Sequence, residues 1–150
     1  MRRLLVSLAI LAFAPLAAAD ETGARAMVEF HRGFEHNGNF ARQEYMVVDA
    51  DGQSSTTAAL FGLVSGGEVR QRRYPAGQRL TIYAMTTYLE YFGSESRCSA
   101  LAHFTPAGGH TYAVTQQELS LGVCELHVLD TATGAAPADL EISTDSGARR

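Results

Sequence analysis

Cys98-Ser-Ala-Leu-Ala-His-Phe104, Thr105-Pro-Ala-Gly-Gly109, His110-Thr-Tyr-Ala-Val-Thr115 and Gly122-Val-Cys-Glu-Leu-His-Val-Leu129 form the stretch that decides how this chain folds. It reads as three short strands separated by glycine turns, each with apolar residues at every second position. Alternation puts Cys98 on one face with Ala100, Ala102 and Phe104, and Cys124 with Leu126 and Val128. Both thiols therefore point at apolar faces, where a cysteine serves structure rather than reactivity. They are the only two cysteines in the chain. A bond between them would close a loop of about 26 residues, worth about 3.5 kcal/mol in the chain-entropy model.

That bond also restricts topology. In a flat up-down-up meander the middle strand would hold the two cysteine strands about 9–10 Å apart. A disulfide needs Cα atoms within about 7 Å. The strand after Gly122 must therefore cross to a facing sheet or pair directly beside the Cys98 strand. Either arrangement favours a sandwich with crossing connections.

Working outward, glycine and proline punctuate the chain about every ten residues, and the intervening runs favour the strand period. Arg25 to Arg32 reads as a first strand, with Ala26, Val28 and Phe30 alternating, and Arg42 to Asp49 as a second. Gln53 to Thr57 reads as a polar loop. Ala58 to Val64 and Glu68 to Tyr74, flanking Ser65-Gly-Gly67, read as a hairpin. Pro75-Ala-Gly77 turns the chain into Gln78 to Phe92, one bent strand or two. Met85 to Phe92 has a helical alternative, which its threonines and aromatics disfavour. Asp139 to Ser143 reads as a last edge strand, and 144–150 as a flexible tail. The expected fold is all-β: a single antiparallel β-sandwich of about 7–9 short strands over residues 20–143, with one disulfide.

The chain opens with Met1-Arg-Arg3, an apolar run from Leu4 to Leu16, and Ala17-Ala-Ala19 ahead of Asp20. This is the pattern of a secretory signal peptide over 1–19, cleaved after Ala19, and it places the product in the periplasm or outside the cell. An oxidising compartment suits the cysteine pair. No later segment has the roughly 20 apolar residues of a transmembrane helix. Removing Arg2 and Arg3 leaves ten arginines against sixteen acidic residues, a formal charge of −6, and there is no lysine. An acidic chain lacks the electrostatic footprint for nucleic acid or anionic lipid. Without lysine, Schiff-base and P-loop chemistry are excluded.

The Pro-Ala-Gly turns, the aromatic-Ala/Thr strand that follows, Gly122-Val-Cys124 and the alternating strand ending at Asp130 resemble small exported bacterial β-sandwich proteins. Among these are transthyretin-like accessory modules of larger enzymes. The resemblance covers about the last half of the chain. It implies an Ig-like or transthyretin-like fold, and it carries over no functional residue.

Candidate chemistry is sparse. Glu29, His31, Glu35 and His36 lie close in sequence and are the candidate metal ligands, since imidazole and carboxylate suit zinc or copper. His103 and His127 fall on faces opposite the cysteines. Asp49-Ala-Asp-Gly52 partly matches a calcium loop but lacks the further acidic positions. Gly62-Leu-Val-Ser-Gly66 is one residue out of the nucleophile-elbow pattern. Arg70, Arg72 and Arg73 form the one basic cluster; Arg70 and Arg72 share a strand face and are the candidate partner-binding pair. The same arginines would also suit a charged edge strand that resists aggregation. Tyr83, Tyr88, Tyr91 and Phe92 form either an aromatic contact strip or core. No cofactor motif is present. The expected function is a non-enzymatic binding, accessory or structural module of the cell envelope, partnered by another envelope or secreted protein. A periplasmic metal-binding protein or a small hydrolase is the alternative.

Overall fold

A computed structural model describes residues 23–33, 40–48, 52, 54–62, 69–89, 95–120 and 123–145. They form nine strands: β1 (Arg25–His31), β2 (Phe40–Val48), β3 (Ser54–Gly62), β4 (Val69–Pro75), β5 (Leu80–Leu89), β6 (Glu95–Phe104), β7 (Thr111–Ser120), β8 (Val123–Asp130) and β9 (Glu141–Asp145). Two sheets result, one ordered β4-β1-β7-β8 and the other β3-β2-β5-β6-β9. The molecule is a β-sandwich. All strand pairs are antiparallel except β1 with β7, which run parallel.

The core is built by the alternation seen in sequence. Ala26, Val28 and Phe30 of β1 face Tyr45 and Val47 of β2 and Leu80, Ile82 and Ala84 of β5; all are buried. Tyr112 and Val114 of β7 and Leu126 and Val128 of β8 complete it. Two tilted ring pairs, Phe30 with Tyr45 at 5.2 Å and Phe104 with Tyr112 at 5.1 Å, pack across it. Rings at such separations gain about 0.5–1.5 kcal/mol beyond their buried area.

Cys98 and Cys124 are bonded, with Cα atoms 5.7 Å apart. Because β6 and β8 belong to different sheets, the bond ties the two sheets together. Of the two arrangements open to the cysteine pair, the crossing one is realised. Facing sheets normally sit about 10 Å apart, so they draw together here. The inner face of β6 allows this, since after Cys98 it presents only Ala100 and Ala102 before Phe104. Tyr88 packs with the disulfide in a small separate cluster.

Three sequence expectations need correction. The segments on either side of 65–67 do not pair as a hairpin: β3 pairs with β2 and β4 with β1, so the chain changes sheets between Gly62 and Val69. Turn chemistry marks a reversal but cannot choose the partner. The polar run at 53–57 is not a loop throughout, because Ser54 to Thr57 belongs to β3; β-branched threonines fit an edge strand whatever their polarity. The final strand reaches Asp145, into the stretch assigned to a tail. Gln78 to Leu89 holds one strand rather than two, and no helix forms over Met85 to Leu89. Residues 1–19, Asp49-Ala-Asp51 and the tail beyond 145 lie outside the described residues.

The two Pro-Ala-Gly turns are not a repeat. In the first, Gly77 takes the left-handed conformation (φ 75°); in the second it is Gly109 (φ 77°), one residue later relative to the proline. They feed β5 and β7, which lie in different sheets. The turns meet directly, the Gly77 N–H donating to the Pro106 carbonyl at 2.9 Å.

Candidate functional site

β4 is an edge strand, and its pairing with β1 sets Arg72 opposite Val28, Arg70 opposite Phe30 and Tyr74 opposite Ala26. Val28 and Phe30 are fully buried. Arg70 and Arg72 therefore stand on the core-facing side of the edge, yet both are exposed. Only Tyr74, at the far end, packs against the core. A guanidinium on a long apolar stem can hold this position by reaching past the sheet rim to water. On the opposite face, Gln71 donates to Glu29 at 2.8 Å. The fold thus confirms that Arg70 and Arg72 share one face, and shows that this face is continuous with the inner row of the sheet.

The metal candidates divide. Glu35 and His36 lie outside the described residues. Glu29 and His31 are on the outer face of the four-stranded sheet, His31 Nε2 standing 3.4 Å from Glu29 Oε2. His31 is level with Thr115, and Thr115 with His127, so the two imidazoles share a row with one strand between them. They do not converge: His127 Nε2 approaches its own neighbour Glu125 at 3.3 Å. Among the described residues, no three His, Cys, Asp or Glu side chains group as metal ligands. His103 pairs with Thr81, Nδ1 to Oγ1 at 2.8 Å. Tyr83 and Tyr88 lie on opposite faces of β5, the latter buried, so these two form no strip; Tyr91 and Phe92 lie outside the described residues.

Two constellations escaped the sequence reading. The first is a buried polar layer between the sheets. β1 leaves β7 after the His31–Thr115 pair, which would strand the backbone of Gln116. Side chains from the facing sheet take over. The Tyr45 hydroxyl accepts the Gln116 N–H at 3.0 Å and donates to the His31 carbonyl at 2.8 Å. Gln43 Nε2 donates to the Gln116 carbonyl at 2.9 Å and to Thr86 Oγ1 at 3.1 Å, while its Oε1 accepts the Gly33 N–H at 3.1 Å. Thr86 donates in turn to Gln116 Oε1 at 2.7 Å, and Gln116 Nε2 reaches the Ala84 carbonyl at 3.3 Å. Burial pushes the Tyr45 phenol far above its ordinary pKa, against the opposing pull of the Gln116 N–H; it stays a neutral donor. Gly33 is obligatory here, since a Cβ would sit 2.1 Å from the Gln116 carbonyl oxygen. The signal existed in sequence: Gln43, Thr86 and Gln116 each occupy an inward position in an alternating strand.

The second lies at the opposite end. His110 Nδ1 meets Asp130 Oδ2 at 2.5 Å, and Asp130 Oδ1 accepts the Ala132 N–H at 2.8 Å. The His110 bond, with the Ala132 N–H, holds the Asp130 carboxyl below the usual carboxylate range. Asp130 also exchanges backbone hydrogen bonds with Ala135 and Gly134, so the loop after β8 folds around it. The imidazole stacks on Tyr112 with ring centroids 6.2 Å apart and is 45 % exposed. A carboxylate-oriented imidazole is the base half of a nucleophilic triad. Among the described residues no hydroxyl or thiol hydrogen-bonds to that ring, and the pair anchors a loop.

Comparison with protein-family models, with curated proteins and with solved structures gives no match. No helix among the described residues is long and apolar enough to cross a membrane. The geometry must therefore speak for itself, and the most distinctive exposed chemistry it offers is the guanidinium row of β4.

Proposed function

We propose that this protein is an exported binding or accessory module of the cell envelope that engages a partner protein through the β4 edge. The observation carrying this reading is the placement of Arg70 and Arg72: exposed, on one face of β4, an edge strand that among the described residues pairs with β1 alone. Such an edge offers main-chain hydrogen bonds to an incoming extended segment, and guanidinium groups add bidentate recognition of its carboxylates. The remainder of the chain is acidic, so this edge differs in sign from its surroundings. Periplasmic or extracellular location is supported by the leader-like residues 1–19 and by the inter-sheet disulfide, and a transthyretin-like or Ig-like accessory module fits both.

The test is titration of the protein into a fluorescein-labelled peptide of alternating Glu and Thr, read by anisotropy. Arg70→Ser with Arg72→Ser should weaken binding at least about tenfold, and raised salt should do the same to the wild type. Equal affinity in wild type and double variant would remove the reading. In-cell crosslinking with mass spectrometry then identifies the native partner.

A further inference from the structure

An open sandwich of this topology has four edges: β4 and β8 on one sheet, β3 and β9 on the other. Three carry charge. β4 bears Arg70, Arg72 and Arg73; β8 bears Glu125 and Asp130; β9 is only five residues long and bears Glu141 and Asp145. β3 is different. Its nine residues, Ser-Ser-Thr-Thr-Ala-Ala-Leu-Phe-Gly, include no charge and no proline, and among the described residues it pairs with β2 alone. Charge, proline and short length are the devices that keep sheet edges from pairing with other chains. β3 retains one device, a bulge at Thr57 where the register with β2 shifts. Beyond it, Ala58 to Gly62 runs in unbroken register with Tyr45 to Ala41.

We propose that the β3 edge is a self-association surface: two copies pair antiparallel through Ala58 to Gly62, joining their five-stranded sheets into one sheet of ten strands. Electrostatics selects a second copy as the occupant. In an antiparallel two-fold pair each strand meets its own sequence. β4 against β4 would set arginines on arginines, and β9 against β9 would oppose Glu141 with Asp145. β3 against β3 opposes no like charges, and it satisfies the outward backbone groups of both strands. Pairing β3 with the β4 edge of another copy would instead bring the arginine row beside a strand that offers no anion. The contact is isologous and closes on itself, so it stops at the dimer. One short edge buries less than the roughly 1,200 Å² of a permanent interface, so the dimer forms with rising concentration.

Sedimentation velocity from about 1 µM to about 1 mM should show the mass rising from monomer to twice that value and no further. Ala59→Lys with Phe61→Lys, placing like charges on both strands, should keep the protein monomeric throughout. Arg70→Ser with Arg72→Ser should dimerise like wild type, which separates this surface from the β4 binding edge. Hydrogen exchange of the wild type supplies a second reading that does not depend on the folding of the lysine variant. Amides of β3 should slow at least about tenfold at high concentration while those of β4, β8 and β9 do not change. A mass that stays monomeric, a lysine variant that still dimerises, or protection gained on another edge would each overturn the proposal.

Discussion

Removing the Cys98–Cys124 bond tests how the sandwich is held together. The bond joins residues 26 apart in sequence and bridges β6 of one sheet to β8 of the other. Cutting it frees a loop that includes all of β7 in the unfolded chain, and closure entropy for that loop length is worth about 3.5 kcal/mol. That is about a 400-fold change in the unfolding equilibrium. With a urea slope of about 1.5–2 kcal/mol per M, the midpoint should fall by about 2 M. The assay is urea unfolding of wild type and of Cys98→Ala with Cys124→Ala, followed by far-UV circular dichroism and tyrosine fluorescence, since the chain has no tryptophan. Wild type unfolded in excess dithiothreitol separates loss of the bond from loss of the sulfur atoms packed with Tyr88. Free energies extrapolated to water should be compared as well as midpoints, because an uncrosslinked unfolded chain expands and steepens the slope. A loss below about 1 kcal/mol in both experiments would refute the loop-entropy reasoning and leave packing as the only tie between the sheets.

Three further results should follow. Tyr45→Phe removes the hydroxyl that serves both the His31 carbonyl and the Gln116 N–H, so it should cost about 1–3 kcal/mol by the same urea assay, the penalty of buried unpaired groups; an unchanged curve would mean another group replaces it. Gly33→Ala sets a methyl against the Gln116 carbonyl and should cost about 1–3 kcal/mol through forced backbone displacement, with amide chemical-shift changes concentrated at the end of β1 and around Gln116. Asp130 has a lowered folded-state pKa, so its contribution is fully present above the ordinary carboxylate pKa and is lost as pH falls through the lowered one. Stability of wild type should therefore decline on acidification more steeply than that of Asp130→Asn, measured as urea midpoints from neutral pH downward; parallel profiles would show that the carboxylate contributes nothing there.

Alternation alone predicted that Ala26, Val28 and Phe30 face inward, that Cys98 lies with Ala100 and Ala102, and that Cys124 lies with Leu126 and Val128; each is buried in the structure. It also paired Arg70 with Arg72 on one face. The polar layer was legible only as an oddity, three polar side chains at inward positions. Nothing local shows that Gln43 and Tyr45 reach across to replace a departing strand, because their partners lie more than 70 residues away at Gln116. The His110–Asp130 contact likewise joins the ends of two strands, across a register that turns alone do not set.

Sequence by itself determined the strands, their inward faces and the one covalent tie, because each follows from a period of two along the chain and from the chemistry of its two cysteines. Only the tertiary structure decided which strands are neighbours: β1 between β4 and parallel β7, the change of sheet between β3 and β4, and the uncharged β3 left at an edge while the three other edges carry charge. The reason is that alternation fixes the side to which a residue points, whereas a strand's partner is chosen by packing among segments far apart in sequence, and no local pattern encodes that choice.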